Sequence, residues 1–372
     1  MRVLSVVGAR PNFVKIAPLL REMAERPDIE PVLVHTGQHY DARMSDAFFE
    51  ALAIPAPDFN LAVGSASHAR QTAEVMMRFE PVLDTVRPDV VLVVGDVNST
   101  MAATLVAAKH GIRVGHVEAG LRSFDRSMPE EINRIVTDAL ANDLFVTEES
   151  AVVNLAREGI PAERVHFVGN VMIDALRLTR PLWEASTIFA DRGLDGVDRY
   201  GVVTLHRPAN VDDAHRFREI VGALHAVAQE LPLIFPVHPR VRPRLDDAQT
   251  TWPRSGPLPP RGLVCTEPLG YLDFVALVSR AAIVLTDSGG IQEETTILGV
   301  PCLTLRENTE RPVTVTHGTN RVIGVARSRI VDEARFALTH RPASLPPPPL
   351  WDGRAATRIV DTLIRAAVPV AA

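Results

Sequence analysis

Residues 90–120 read VVLVVGDVNSTMAATLVAAKHGIRVGHVEAG. VVLVVG is an unbroken β-branched apolar run closed by glycine, which predicts a strand buried on both faces. STMAATLVAAKHG follows with helical composition; Asn98 and Ser99 stand where they can cap its start, and Gly111 where it can end. RVGHVEAG then resumes a strand pattern. Strand, helix and strand in this order make a βαβ unit, so the two strands run parallel.

The alternation continues in both directions. VLSVVG (3–8), a helix pattern from Pro11 to Met23 and PVLVHTG (31–37) precede this unit, and DLFVTEE (143–149), ESAVVNLAREG and RVHFVG (164–169) follow it. This predicts a doubly wound parallel sheet over residues 1–172. The pattern restarts beyond residue 175 with YGVVTL (200–205), PLIFPVH (232–238), GLVCTEP (262–268), AIVLTD (282–287) and PCLTLR (301–306). A second doubly wound domain over 173–351 is the economical reading. TRPLWEASTIFADRGLDGVD (179–198) has no clean strand and reads as an interdomain stretch. RPASLPPPP (341–349) predicts extended chain, and 352–372 predicts a final helix packing back onto the first domain. Two such domains imply a cleft, with the chemistry on loops at the carboxyl ends of the strands.

Composition narrows the function. The chain has 372 residues, 46% hydrophobic and 23% charged, with a formal net charge of −6. That balance offers no basic field for a nucleic acid. The apolar runs are too short for a signal peptide or a membrane span, so a cytoplasmic protein is expected. Cys265 and Cys302 sit in apolar strand-like runs and read as buried free thiols. No HExxH, CxxC or similar spacing suggests a metal, and GxxxxGK[ST], GxSxG and GxGxxG are all missing, so no metal or redox cofactor is expected.

Several loops can carry chemistry. In AIVLTDSGGIQEETTILG (282–299) a strand runs through Ser288, Gly289 and Gly290 into a helix, whose positive end suits a phosphate or diphosphate. Glu294, one turn in, can accept from ribose hydroxyls, although a plain capped helix would look similar. The first βα turn, Gly8 to Asn12, brings Arg10 and Lys15 toward the same side as two cations for an anionic ligand. Asp96 and Glu118 each lie just past a strand; if those strands are neighbours, the carboxylates are close and can work as base and acid. Glu130 and Glu131 open a helix, where acids also compensate the dipole. His206 with Arg207, and His238, end two further strands and can bind phosphate or donate a proton.

Ordered strings carry a resemblance across most of the chain: GARPNFVKIAPL, TGQHYD, VVGDVNSTMAA, HVEAGLRS, MPEEINR, VGNVMIDA, TLHRPAN, LTDSGGIQEE, NTERPVTVTHGTNR and VIG, from residue 8 to 324. It resembles the non-hydrolysing UDP-N-acetylglucosamine 2-epimerases. The resemblance implies a GT-B-like fold of two Rossmann-like domains with the active site in the interdomain cleft. It also implies a cytoplasmic homodimer, a UDP-sugar substrate and no cofactor. It implies catalytic roles for Asp96, Glu118 and Glu130, and a place for His206 near the diphosphate and the reaction centre. It further implies nucleotide contacts from Arg10, Lys15, Ser288, Gly289, Gly290, Glu294 and Arg311, with Phe274 near the uracil.

Two strings depart from the familiar pattern. Between Glu118 and Glu130 the chain reads AGLRSFDRSMP, a shorter stretch than usual, which leaves Glu130 and Glu131 both open as the third acid. Residues 40–45, YDARMS, differ from members with an allosteric substrate site. Rival readings are a 2-epimerase of a related UDP-aminosugar such as a UDP-diacetamido uronic acid, a hydrolysing epimerase, a GT-B glycosyltransferase and a non-reacting nucleotide-sugar sensor.

Overall fold

The computed structural model describes residues 1–38, 52–194, 196–197, 199–247, 259, 261–340 and 346–367, with the side chains of Arg10, 246, 247 and 367 left aside. The YDARMS segment and the first part of the proline tract lie outside the described residues. The chain divides into two compact units, Met1–Leu178 with Pro349–Ala372, and Thr179–Pro348.

The first unit is built on strands β1 (Arg2–Val7), β2 (Glu30–His35), β3 (Phe59–Asn60), β4 (Val90–Val94), β5 (Arg113–Ala119), β6 (Asp143–Val146) and β7 (Val165–Phe167). They pair in parallel in the order β3-β2-β1-β4-β5-β6-β7. The helices are α1 (Arg10–Ala24), α2 (His68–Val86), α3 (Asn98–Lys109), α4 (Pro129–Leu140), α5 (Glu149–Arg157) and α6 (Val171–Leu178). β4 is buried along its whole length and β1 and β5 beyond their first residues, as their apolar runs require: Leu4, Val91, Leu92 and Val93 are fully buried.

The start of α3 departs from expectation. Val97 is the cap residue and no side chain caps it, while Asn98 and Ser99 are the first helical residues. Their polar groups are engaged elsewhere: Asn98 Nδ2 donates to Gln71 Oε1 at 2.8 Å, and Ser99 Oγ to Gln38 Oε1 at 2.7 Å. At the other end Gly111 takes φ +69°, the left-handed step that closes the helix.

The second unit pairs β8 (Gly201–Thr204), β9 (Leu233–Pro236), β10 (Leu263–Thr266), β11 (Ile283–Thr286), β12 (Cys302–Thr304) and β13 (Asn320–Val322) in the parallel order β10-β9-β8-β11-β12-β13. Helices α7 (Ala214–Val227), α8 (Tyr271–Ser279), α9 (Gly289–Leu298) and α10 (Arg327–Thr339) accompany it. Its core joins Val203, Phe217, Leu224, Phe235, Leu285 and Leu303. Cys265 and Cys302 are buried free thiols, and burial pushes Cys302 up to about 12.

Two boundaries differ from expectation. The first unit continues past 172 because α6 is bound to the final helix, α11 (Ala355–Ala367): Asp174 Oδ2 accepts from Ala356 N at 2.7 Å. Stretch 179–198 is part of the second unit rather than a linker. Its helical turns bury Trp183, Ile188 and Phe189, and Ser186 Oγ donates to Asp273 Oδ1 at 2.6 Å. Such a segment packs by scattered apolar side chains, which leave no strand or long-helix period.

Candidate active site

In a doubly wound sheet, ligands sit beyond the carboxyl ends of the strands where the order reverses. In the first unit that point lies between β1 and β4. Asn12 ties the two ends together: its Oδ1 accepts from Ala9 N at 3.0 Å and its Nδ2 donates to Val94 O at 2.9 Å. Gly95 follows β4 at φ +67°, and a Cβ there would stand 3.0 Å from Lys15 Nζ and 3.3 Å from Asn12 Nδ2. Only glycine fits both the backbone and the space.

The acids gather around this point. Strands β4 and β5 are neighbours, so Asp96 and Glu118 stand at adjacent strand ends. Glu118 sits at a bulge in the β5–β6 pairing with φ +72°, a left-handed conformation that costs a non-glycine residue about 1–3 kcal/mol. Its carboxylate forms an ion pair with Lys15, both side chains being buried. Lys15 is therefore a partner of a candidate catalytic acid rather than a cation held out to solvent. Asp96 Oδ2 accepts from Arg134 Nη2 at 2.9 Å and Nε at 3.1 Å, and Asn133 Nδ2 donates to Asp96 O at 2.9 Å. Helix α4 thus holds Asp96 from one side.

The same helix separates the two consecutive glutamates. Glu131 is buried and accepts from Ser123 N at 3.0 Å, Ser123 Oγ at 3.1 Å and Phe124 N at 2.9 Å, and it pairs with Arg134. These bonds fasten the 121–125 loop. Glu130 is only half-buried. Helical geometry turns adjacent side chains about 100° apart, which is why one acid points into the loop and its neighbour does not. Arg10 begins α1, and its side chain is outside what is described.

In the second unit the order reverses between β8 and β11. Asp287, fully buried, is the first residue after β11. It accepts from His206 N at 3.0 Å, Arg207 N at 3.0 Å and Asn210 Nδ2 at 3.2 Å, and stands 3.0 Å from His206 Nδ1. Burial pushes this carboxyl up, but the His206 ring and the backbone donors outweigh it and hold Asp287 below the ordinary carboxylate range. A carboxylate beside Nδ1 accepts from the Nδ1–H, which fixes the proton on that nitrogen and leaves Nε2 as the other ring nitrogen for chemistry. The His238 ring lies 6.0 Å from that of His206, centre to centre.

Helix α9 starts beside this pair. Ser288 is its cap residue but makes no side-chain cap bond, so the first-turn N–H groups have no Ser288 oxygen on them. Gly289 is buried, and a Cβ there would run into the Arg311 guanidinium and stand 2.8 Å from Glu310 Oε1. Arg311, itself buried, donates through Nε to Glu293 at 2.7 Å and through Nη1 to Glu310 at 2.6 Å. Arg306 pairs with Glu310 at 2.7 Å. Glu294 is buried and its carboxyl is pushed up to about 8, by burial first and then by Glu293, against the lowering effect of Tyr271. Phe274 lies half-buried one turn from Tyr271 on α8.

The geometry thus places Asp96, Glu118 and Lys15 at one switch point, and His206, Ser288, Gly289, Gly290 and Arg311 at the other with Glu294 one turn into α9, while Glu130 is placed only in the half-buried first turn of α4. Sequence reasoning missed Asp287, Arg134, Glu293 and Glu310, whose importance lies in partners distant in sequence. The only local signal was Asp287 standing directly after a buried strand. Among the described residues no helix is long and apolar enough to cross a membrane.

The chain is similar to known proteins. The family model described as UDP-N-acetylglucosamine 2-epimerase matches residues 21–364. The chain is 39% identical over 369 residues to a UDP-N-acetylglucosamine 2-epimerase of Methanocaldococcus jannaschii, covering 98% of this chain and 99% of that one. It is 40% identical over 345 residues to the UDP-2,3-diacetamido-2,3-dideoxy-D-glucuronate 2-epimerase of Pseudomonas aeruginosa, covering 91% and 92%. The crystal structure of the M. jannaschii UDP-GlcNAc 2-epimerase in complex with UDP-GlcNAc and UDP matches at TM-score 0.89 and 38% identity, over 98% of this chain and 100% of that one. The fold is GT-B-like, as in such neighbours. The family model and a relative of 39% identity covered almost end to end agree, and the chain belongs to the UDP-N-acetylglucosamine 2-epimerase family.

Proposed function

We propose that the protein interconverts UDP-N-acetylglucosamine and UDP-N-acetylmannosamine at C2 without net hydrolysis. The C2 hydrogen has no adjacent carbonyl and is not acidic. Direct inversion would require a transient oxidation, whereas elimination does not. In the elimination route a carboxylate removes the C2 proton, the C1–O bond breaks anti to it, and the electron pair leaves with UDP. The product is 2-acetamidoglucal with a C1=C2 double bond. The UDP oxygen then re-adds to C1 and a proton reaches C2 on the opposite face.

The reaction needs carboxylates for proton transfer and an anchor for departing diphosphate. Asp96, Glu118 and Glu130 supply the first in this proposal. His206, Arg311, Arg10 and the Ser288–Gly290 helix start supply the second, each such donor contributing about 2.7–4 kcal/mol where it meets developing charge. Glu294, a buried carboxyl one turn into α9, takes the ribose. Phe274 takes the uracil. The supporting observation is that one chain carries a clamped set of acids at one switch point and an uncapped helix start beside a carboxylate-oriented histidine at the other.

The test is incubation with UDP-N-acetylglucosamine in deuterated water without added NAD. Epimer carrying deuterium at C2, with UDP-sugar conserved, supports the reading; unlabelled epimer or a strict NAD requirement overturns it. The similarity to a diacetamido-glucuronate epimerase favours a second substrate, and the same assay run on that UDP-sugar separates the two by relative kcat/KM. A cytoplasmic homodimer belongs to the same proposal, and sedimentation of the purified chain tests the dimer.

A further inference from the structure

Behind the acids of the first unit lies a charged group that the proposed chemistry does not use. His116, on β5 two residues before Glu118, is fully buried. Both of its ring nitrogens are engaged: Nε2 lies 2.8 Å from Gly95 O, and Nδ1 lies 2.6 Å from Asp138 Oδ1. A backbone carbonyl can only accept, so Nε2 must carry a proton. Asp138, also fully buried on α4, receives Gly120 N on Oδ2 at 3.0 Å and pairs there with Arg122 Nη2 at 2.7 Å. A carboxylate already holding a guanidinium and an N–H is an acceptor toward His116 as well, so Nδ1 carries a proton too. Burial acts to raise the Asp138 carboxyl, but His116 and Arg122 outweigh it and hold it below the ordinary range. Arg122 is shared with Glu158, at 2.7 Å.

The Gly95 peptide is the point of contact with the site. Gly95 N donates to Val117 O at 3.0 Å and Gly95 O accepts from His116, so β5 grips this peptide on both sides. Asp96 is the next residue. Across Gly95 stand Lys15, Asn12 and Glu118. The charged groups around the ring are thus Asp138 on α4, Arg122 on the loop after β5 and, through Arg122, Glu158; Lys15 and Glu118 lie beyond Gly95.

We propose that His116 is a buried imidazolium, charged by Asp138, that acts as a positioning residue by locking the Gly95–Asp96 turn against the Glu118 bulge. Its role in turnover rests on the epimerase reading; its protonation does not. His116 is fully buried, so removing it displaces the acids rather than a group facing the binding site. A displacement of about 1 Å can cost on the order of 100-fold in rate.

Two measurements test this. Nitrogen-resolved NMR of the imidazole groups in the intact wild-type protein, with His116→Gln used for assignment, reads protonation directly and needs no activity. The expected result is two protonated ring nitrogens; one unprotonated nitrogen overturns the proposal. Steady-state kinetics of His116→Gln and of Asp138→Asn then read the role: kcat falls about 100-fold with KM for UDP-sugar within a few-fold. Unchanged kcat in a folded variant, or a loss confined to KM, removes the positioning role while leaving epimerase activity of the wild type intact.

Discussion

Lys15→Met should separate the electrostatics of the first switch point from its packing. Lys15 and Glu118 face each other with side chains 7% and 5% exposed. Removing one member of a buried pair costs about 3–5 kcal/mol, because the remaining charge keeps its desolvation penalty. Methionine preserves most of the lysine stem, so little of that figure is lost volume. Glu118→Gln is the mirror perturbation and carries a similar cost. The double variant loses both charges at once, and its destabilisation should fall short of the sum of the singles by at least about 1 kcal/mol, within the range for residues in contact. Urea unfolding of the four proteins, with m-values compared, gives the coupling. Additive single effects would refute the claim that the pair is a coupled, buried unit. In turnover, Lys15→Met should also lower kcat, since the Glu118 carboxylate loses the buried ion-pair partner that holds it in place.

Other expectations follow from the same geometry. Asp96→Asn and Glu118→Gln should each lose about 100-fold or more in kcat along with C2 deuterium exchange, and near-normal exchange in either removes that residue from proton transfer. Glu130→Gln should reduce kcat with little change in unfolding free energy, whereas Glu131→Gln should destabilise by about 1–3 kcal/mol through the loop donors it abandons; a reversal of this pattern in paired kinetics and denaturation would make Glu131 the working acid. Asp287→Asn keeps one acceptor but sets an amide N–H against His206 or Arg207, so kcat should fall about 100-fold; rate retention would mean His206 needs no orienting carboxylate. Glu294 supplies a pH test. Its folded carboxyl titrates near 8 against about 4.3 unfolded, so its contribution to stability is complete below about 4.3 and is lost as pH rises toward 8, by at most about 1.4 kcal/mol per unit. Glu294→Gln should flatten the stability–pH curve across that window, and an unchanged slope would contradict the assignment.

Much of the fold was legible because buried parallel strands write their burial into the sequence. VVLVVG is an unbroken apolar run and VLSVVG and AIVLTD are nearly so, and each is a strand near the centre of its sheet. Short edge strands were not legible: Phe59–Asn60 and Asn320–Val322 are too brief to show a period, and β13 is held by its pairing with β12. Asn98 and Ser99 misled as caps since their distant partners, Gln71 and Gln38, cannot be seen locally. In the site, loop position exposed Asp96, Glu118, His206 and the Ser288 turn. What the sequence could not reveal was division of labour between neighbours: Glu131 tied to a loop, Lys15 tied to Glu118, and Asp287 hidden beneath His206. Each depends on a tertiary contact.

The most direct test of the central claim is to supply the intermediate. Given UDP and 2-acetamidoglucal together in deuterated water, the protein should form UDP-N-acetylhexosamine carrying deuterium at C2. If no UDP-sugar forms while the same preparation epimerises UDP-N-acetylglucosamine, C1–O cleavage is not the route and the account fails.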